Sequence, residues 1–450
     1  MALRDSLAWH KATSDSKGRE KSNAHPRSRA RLQPRDEAIF LLHCAAEVEH
    51  ALLVQYLYAG YSLRSESENA AEQDALDRWR LAFFSIARQE MGHLATVQNL
   101  TLSIGGPLNF EREDFPFRSG FYPFHFRLER LTRDSLAKYL VAEMPQLSTL
   151  PLDRQRVMKY VIRRATRANR KTPVNRVGSL YDRLREIFHK LTISDFRFDT
   201  FDRYQALAVD FGFNDPPNPD EPFVCRIDSK RSAEFALDLV AEQGEGTTGN
   251  TAGSHFDTFY QIWTDAQFPE TNPTFGIPSW VATHAVPTDP SIGSPRNVNN
   301  ITNSLSKLVA LLGNARYRNS LLLLELYMRL DARQPSSCRS DVAQWIKEEM
   351  KPVLSTIGST LPLISRQSPD VFVGGERAMA GLPFQLPYTL SYSYDLRDHW
   401  RAARILIDQS IELCNAIHDH PDADIALKNV VQGIKNIDTR RLPKIDAMSL

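Results

Sequence analysis

The sequence has 450 residues, of which 42% are hydrophobic and 24% are charged. This is ordinary globular composition, and the length predicts two or three domains. The 55 basic and 54 acidic residues leave a net charge of +1, so the charge balance gives no reason to expect a nucleic-acid or membrane partner. No stretch approaches the roughly 18 uninterrupted apolar residues of a membrane-spanning helix.

Residues 1–35 are rich in Arg, Lys, Ser and His, with little apolar content and no periodicity. They predict a disordered basic tail. A transit peptide is the alternative, but Asp5, Asp15 and Glu20 interrupt the acid-poor composition of such peptides. The four cysteines of the chain lie far apart and form no CxxC pair. That spacing disfavours a thiolate zinc site and a disulfide scaffold, and it predicts a reducing, cytoplasmic location.

Two long helical patterns come next. Apolar residues recur at steps of three and four over 36–63 and again over 71–104, where Gly105-Gly106-Pro107 ends the second pattern. Two long antiparallel helices with a short connection are typical of the beginning of a helical bundle. Shorter helices are predicted over 133–143, 177–191 and 232–242, and one more begins near Ser254, a residue type favoured at N-caps.

The composition changes beyond residue 268. A stretch rich in Pro, Thr and Asn reaches about residue 300, and three helical runs follow near 301–332, 339–365 and 396–418. No strand pattern is strong enough to build a sheet. The sequence therefore predicts an all-α protein with two helical parts. These are a bundle with long loops over 36–268 and a C-terminal helical extension over 269–450 that packs on the bundle.

Charged residues inside apolar helices are the main functional signal. Glu47 lies in CAAEVEHALLV, and Glu90 and His93 lie in FFSIARQEMGHLATV. A carboxylate on a buried helix face is costly unless it is paired or bound to a metal. The Glu90-x-x-His93 spacing puts both side chains on one face, one turn apart. Di-iron sites in helical bundles use such units together with single Glu residues from neighbouring helices.

A single Glu-x-x-His pair is weak evidence, because a solvated face or a buried ion pair explains most of them. The chain has two others, Glu47/His50 and Glu186/His189. The context strengthens the case for Glu47 and Glu90, which belong to the two longest apolar helices and can approach each other across the bundle. Glu143, in YLVAEMPQ, is a third carboxylate at the end of an apolar helical run.

Several motifs over about residues 36–265 together resemble the bacterial ferritin-like family. The motifs are EVEHALLVQYLYAGYSL, RQEMGHLATVQNLTLSIGGP, LVAEMP, VGSLY, EQGEG and SHFDTF. More narrowly they resemble the branch of the iminophenyl-pyruvate dimer synthases, the imine-coupling enzymes of violacein and related bisindole pathways. The resemblance implies a four-helix bundle that holds iron between its helices.

The same resemblance implies a set of metal ligands and shows one departure from the usual pattern. The implied ligands are Glu47, Glu90, His93, Glu143 and His255. Many relatives have a Glu three residues before the histidine that matches His255, and here that position is Ala252. We expect Glu245, in EQGEG, to supply the missing carboxylate. Three alternatives stay open: Glu242 as its substitute, Glu186 and His189 as a rival fourth-helix pair, and a weakened second metal site.

Oxygen and imidazole ligands suit redox-active iron, with manganese and zinc as alternatives. We expect an iron-dependent oxidase or oxygenase with two iron ions that uses O2 or peroxide and acts on a small amino-acid-derived metabolite. A non-catalytic iron-binding protein and a haem-dependent coupling enzyme are the alternatives. No CxxCH haem-attachment motif occurs, although non-covalent haem needs none. The expected partner is a small-molecule substrate, without nucleic acid or membrane, and self-association into a homo-oligomer stays open.

Overall fold

The computed structural model describes most of the chain beyond residue 31. The basic tail predicted over 1–35 lies almost entirely outside the described residues. The described ranges are 32–117, 119–120, 122–246, 252–269, 280–293, 299–334, 338–373, 375–386 and 395–449.

Helices dominate the described residues, as the sequence predicts. In chain order they are α1 Pro34–Ser62, α2 Ala70–Ser103, α3 Arg133–Glu143, α4 Leu152–Ala168, α5 Gly178–Lys190, α6 Phe198–Phe201, α7 Ala208–Phe211, α8 Lys230–Glu245, α9 His255–Thr264, α10 Ser304–Arg329, α11 Arg339–Glu348, α12 Ser355–Thr360, α13 Leu396–His418 and α14 Ile425–Ser449. A π-helical turn over Glu349–Leu354 joins α11 to α12. The described strands β1 Phe372–Val373 and β2 Glu376–Arg377 form one short antiparallel hairpin.

The two long helices α1 and α2 pack against each other along their length. Asn69 begins α2 as its N-cap, because its side chain accepts hydrogen bonds from the backbone N–H groups of Ala71 and Glu72. After α2, Gly105 takes a positive φ of 71°, the left-handed conformation that suits glycine and ends the helix. These local signals were readable in the sequence, and the predicted helix pair is confirmed.

The third and fourth positions of the bundle are each filled by two helices. At the third position α3 ends at Glu143 and α5 begins at Gly178, and the N–H of Val177 donates to the carbonyl of Ala142 at 2.8 Å. At the fourth position α8 ends at Glu245 and α9 begins at His255. Helix α3 packs on α9, and α5 packs on α8. Both interruptions therefore fall at the same level of the bundle.

The sequence predicted some helix ends well and missed four helices, the short α6 and α7 and two long ones. Ser254 caps α9 by accepting a hydrogen bond from the N–H of Asp257 at 3.1 Å, as expected. Helix α4, inserted between α3 and α5, has no counterpart among the predicted elements, and neither has α14 after the last predicted run. Across the described residues, no helix combines the length and the apolarity needed to cross a bilayer.

The C-terminal helices pack on one another and on the bundle. Helix α13 lies against α10 and α14. A second hydrophobic core is formed mainly by residues after 285, and α1 contributes Val54, Tyr58 and Tyr61 to it. The bundle and the later helices therefore share buried surface, and the all-α fold class is confirmed. The boundary at residue 268 stays a prediction.

Candidate metal centre

Five acidic and imidazole side chains meet inside the bundle. Within the described residues they form two triads of potential metal ligands, Glu49–Glu90–His93 and Glu90–Glu143–His255. In each triad, ligand atoms lie within 4.8 Å of one another. No member is more than 4% exposed. Glu90 belongs to both triads, so its carboxylate links two adjacent positions for a cation.

Four helices deliver these side chains. Glu49 lies in the middle of α1, and Glu90 and His93 lie one turn apart on α2. Glu143 is the last residue of α3 and His255 is the first residue of α9. The interruptions of the third and fourth bundle helices therefore fall where these two side chains enter the cluster.

His93 is oriented by an amide on its far side. Its Nδ1 lies 3.1 Å from Oε2 of Glu90 and 3.4 Å from Oε2 of Glu49. Its Nε2 lies 2.9 Å from Oε1 of Gln243. The Gln243 amide nitrogen donates to the carbonyls of Pro219 at 2.6 Å and Glu221 at 2.9 Å, which fixes the amide oxygen toward the imidazole. Nε2 therefore carries the proton that it donates to Gln243, and Nδ1 faces the carboxylates.

His255 has the same arrangement in the other triad. Its Nε2 lies 3.1 Å from Oε1 of Gln89. Its Nδ1 lies 3.2 Å from Oε1 of Glu90 and 3.8 Å from Oε2 of Glu143, without hydrogen-bond geometry to either. Each half of the cluster thus has one histidine with Nε2 held by a glutamine and Nδ1 directed at the shared Glu90.

Two tyrosines hold the carboxylates that are not shared. The hydroxyl of Tyr56 donates to Oε1 of Glu143 at 2.5 Å, and the hydroxyl of Tyr181 donates to Oε1 of Glu49. Burial raises the pKa of both phenols far above the ordinary value, and the neighbouring carboxylates raise it further. Both tyrosines therefore stay protonated at neutral pH and act as hydrogen-bond donors.

Without a cation, the imidazoles balance the carboxylate charge. Burial alone would lower the pKa of His93, but its hydrogen bonds with Glu49 and Glu90 raise it to about 10. The charge of Glu90 likewise raises the pKa of His255 to about 9 despite its burial. Burial also acts to raise the pKa of Glu90, yet the two histidines hold it below its usual range. For Glu49, burial and the charge of Glu90 raise the pKa to about 8.

These residues fit a bound metal ion. Three carboxylates and two imidazoles are the donor types that bind iron, manganese and zinc in proteins. The buried Nδ1 of His255 has no hydrogen-bond partner and lies between two carboxylates, as expected of a metal ligand without its metal. A cavity of about 20 Å³ borders the cluster, enough for a water-sized occupant.

The structure brings four of the six predicted ligands together: Glu90, His93, Glu143 and His255. Glu47 lies elsewhere, and its Oε2 accepts a hydrogen bond from the Tyr122 hydroxyl at 2.8 Å. Glu49 takes the place predicted for Glu47, because two residues along a helix turn the side chain by about 200°. The sequence spacing does not separate the two, since Glu47 lies seven residues from Phe40 and Val54 just as Glu49 lies seven residues from Leu42 and Tyr56.

Glu245 is close to the cluster but is not part of either triad. It is 9% exposed, and its Oε2 accepts a hydrogen bond from Arg176 at 2.5 Å. It borders the cavity on the side of Gly178, where a methyl group would overlap the Glu245 carboxylate. Burial raises the pKa of Glu245 to about 7, although Arg176 opposes the rise. The carboxylate missing at Ala252 is therefore not replaced by Glu245 in this structure.

Two of the three alternatives, the Glu186/His189 pair and Glu242, also lie outside the triads. Glu186 is exposed and pairs with Arg183 at 2.7 Å, and the His189 side chain is 86% exposed. This pair is therefore a solvated helix face and not a rival ligand unit. Glu242 is only half-buried, and it belongs to neither triad.

The fold and the buried carboxylate–histidine cluster are those of a ferritin-like protein. Residues 42–264 match the family model described as Ferritin-like. The bundle formed by these residues is therefore ferritin-like, which confirms the family expected from the motifs.

A characterised relative is dichlorochromopyrrolate synthase of Lentzea aerocolonigenes, 25% identical over 283 residues. The similarity covers 53% of this chain and 25% of the relative, so the chain matches about a quarter of that protein's length. A solved structure of a ferritin-like protein from Caulobacter vibrioides aligns with a TM-score of 0.43 and 17% identity. This alignment covers 72% of this chain and 95% of that protein.

Proposed function

We propose that this protein is an iron-dependent oxidase or oxygenase with a dinuclear centre. The observation that carries the proposal is the pair of triads that share Glu90, each with its own terminal carboxylate and its own histidine Nδ1. In one position the ligands are Glu49, Glu90 and His93. In the other they are Glu90, Glu143 and His255. Three protein ligands at each position leave coordination sites for an oxidant or a substrate.

The chain's own residues prepare the site in three ways. Gln243 and Gln89 hold the imidazole tautomer that presents Nδ1 to the cluster. Tyr56 and Tyr181 orient the terminal carboxylates by donating hydrogen bonds to them. The surrounding helices exclude bulk water, which strengthens electrostatic interactions inside the site. Bound iron would supply the activation of O2 or peroxide at these ligands.

A small organic metabolite is the substrate class that we propose. The Lentzea relative is by its name a synthase that makes dichlorochromopyrrolate, which supports a synthetic role in specialised metabolism for this chain. The cavity beside the cluster is lined by Glu245, Tyr181 and small residues such as Gly178 and Gly244. At about 20 Å³ it suits an oxidant better than a metabolite, so we expect the substrate to approach the site only after a local opening.

Metal analysis together with optical spectroscopy tests the proposal. Protein loaded anaerobically with ferrous iron and then desalted should retain two iron ions per chain. Exposure to O2 should produce a near-ultraviolet oxo-iron band and no Soret band. A Soret band in the isolated protein would support the haem alternative. Two retained ions that consume O2 only by depositing ferric mineral would support the non-catalytic alternative. Retention of no iron, manganese or zinc would overturn the proposal.

A further inference from the structure

Helix α4, inserted between α3 and α5, has a strongly basic surface. From Leu152 to Lys171 the chain has eight basic residues and one acidic residue, although its total charge is only +1. Two of them form ion pairs within the fold. Arg154 pairs with Asp257 at 2.9 Å, and Arg164 pairs with Asp134 at 2.6 Å. The other six are exposed, and none of them forms an ion pair with a described residue. They are Arg156, Lys159, Arg163, Arg167, Arg170 and Lys171.

Four of these cations line one face of α4 with an aromatic residue among them. Arg156, Lys159, Arg163 and Arg167 are spaced at three and four residues, so their side chains point to the same side of the helix. Tyr160 lies between them and is 46% exposed. We call these five residues the α4 face. An aromatic side chain surrounded by arginines is the composition that binding hot spots favour.

Several aromatic side chains lie between the α4 face and the metal centre. The Tyr160 ring lies 6.3 Å from the ring of Trp263, centre to centre. Phe259 is one turn away from Trp263 on α9, and its ring lies 5.1 Å from that of Tyr56. The Tyr56 hydroxyl donates to Glu143, a ligand of the second triad. Aromatic side chains of α4, α9 and α1 therefore lie at intervals between an exposed charged surface and the buried cluster.

We propose that the α4 face is the docking surface for an acidic one-electron carrier protein, such as a small iron–sulfur protein. The inference rests on the proposed function, because it assumes a redox-active metal pair. A negatively charged carrier is attracted by the unpaired cations, which steer it and increase the association rate. Tyr160 then lies at the centre of the contact, and the aromatic rings between it and the cluster divide the distance that an electron crosses into shorter steps.

The transfer balances without any change in bonding. Each encounter oxidises the carrier by one electron and reduces one ferric ion to ferrous iron, and two encounters reduce the pair. No atom is transferred and no covalent bond forms or breaks. Transient electron-transfer complexes use small, charge-dominated interfaces, and the one-sided charge of the α4 face suits such an interface.

The first experiment measures binding to metal-free protein, so that it does not depend on the metal. The probe is an acidic plant-type [2Fe–2S] ferredoxin in its oxidised form. The variant with Arg156→Glu, Lys159→Glu and Arg163→Glu should weaken binding at least tenfold at low salt. The wild-type Kd should also rise steeply with ionic strength. A matched control places three charge reversals on exposed cations elsewhere, Lys190→Glu, Arg231→Glu and Lys351→Glu, and should leave binding within twofold.

The second experiment measures electron transfer by stopped flow under anaerobic conditions. Reduced ferredoxin should be reoxidised by the ferric-loaded wild type at least tenfold faster than by the triple variant of the α4 face. Dithionite, a small reductant that needs no docking, should reduce both proteins at equal rates. Tyr160→Leu should slow reoxidation by ferredoxin while Tyr160→Phe retains the rate, because only the second keeps a ring at this position.

Each outcome separates the docking proposal from the proposed function. Equal ferredoxin binding by the wild type and the triple variant overturns the docking surface, whatever the metal content. Binding of duplex DNA or of anionic phosphatidylserine vesicles in place of ferredoxin also overturns it. Normal docking by a protein that holds no iron would leave the surface supported and the dinuclear centre refuted.

Discussion

One buried cluster of charged side chains lies in the bundle, and another lies among the C-terminal helices. In the second, Arg316 of α10 forms ion pairs with Glu349 and Asp438, all three at most 1% exposed. Arg441 of α14 also pairs with Glu349, and it donates to Glu348 at 2.8 Å. We call this group the arginine network. Its positive charges are the guanidinium groups of two arginines. Their planar arrangement of N–H donors matches the geometry of carboxylates.

The bundle cluster differs from the arginine network in its charge balance and in the imidazole nitrogen atoms that it offers to a metal. Its three carboxylates face two histidines, whose Nδ1 atoms are directed inward and whose charge depends on bound protons. Among the described residues, the ion-pair partners of Glu49, Glu90 and Glu143 are these histidines and not lysine or arginine. A divalent cation can replace the imidazole protons, whereas the guanidinium groups of the arginine network cannot be displaced in this way. Burial of charge alone therefore does not make a candidate metal site; the excess of carboxylates and the unpartnered Nδ1 of His255 are what distinguish the bundle cluster.

The largest effect should follow from removing the carboxylate shared by both triads. Glu90→Ala should reduce metal retention from two ions per chain to almost none, because Glu90 contributes to both positions. Metal analysis after anaerobic loading measures this change. Glu47→Ala is the matched control on the neighbouring helix, and it should retain both ions. Retention of two ions by Glu90→Ala would show that the shared-ligand geometry is incorrect.

Removal of one terminal carboxylate should affect half of the centre. Glu49→Gln and Glu143→Gln should each retain about one ion per chain, because each residue belongs to a single triad. Gln keeps the shape but lacks the ionised oxygen on which metal affinity depends. Spectroscopy of each singly loaded variant should then report a mononuclear site. A loss of both ions in either variant would mean that the two positions fill only together.

Disruption of the arginine network should destabilise the protein without removing metal. Arg316→Met removes the positive partner of Asp438 and one of the two positive partners of Glu349. Loss of one partner of a buried ion pair lowers the free energy of unfolding by roughly 3–5 kcal/mol. Denaturant unfolding of the metal-free protein measures this loss. The triple variant Arg316→Met, Glu349→Gln and Asp438→Leu should recover part of it, because no buried charge is then left alone. An unchanged unfolding free energy in Arg316→Met would show that the network is solvated in solution.

The smallest effect should come from the amide that orients His93. Gln243→Leu removes the acceptor for Nε2 and should weaken metal binding about 10–100-fold, as expected for loss of a hydrogen bond to a ligand. Competition with a chelator measures the affinity. Gln243→Glu keeps an acceptor at the same position and should restore most of it. Similar affinities for the wild type and Gln243→Leu would show that the imidazole is held by its other contacts.

The sequence alone determined the helical class, the two long helices and most of the residues that the structure brings together in the candidate metal centre. Glu90 and His93 could be predicted because a three-residue step puts both side chains on one face of a helix, and the surrounding sequence is apolar. Glu143 and His255 came from motif resemblance, and the structure gives the reason for their positions, since each lies where a bundle helix is interrupted. Whether Glu47 or Glu49 faces the cluster depended on the rotation of α1 about its own axis. The helices that pack against α1 decide that rotation.

The tertiary structure decided what depends on packing between distant segments. Glu245 was a reasonable substitute for the carboxylate missing at Ala252, but Arg176, nearly 70 residues earlier in the chain, engages its carboxylate. The arginine network likewise joins residues on α10, the π-helical turn and α14, which sequence spacing does not connect. Periodicity reports which face of a helix is buried. It does not report which other helix covers that face, and that partner decides whether a buried charge is neutralised or left to bind a metal.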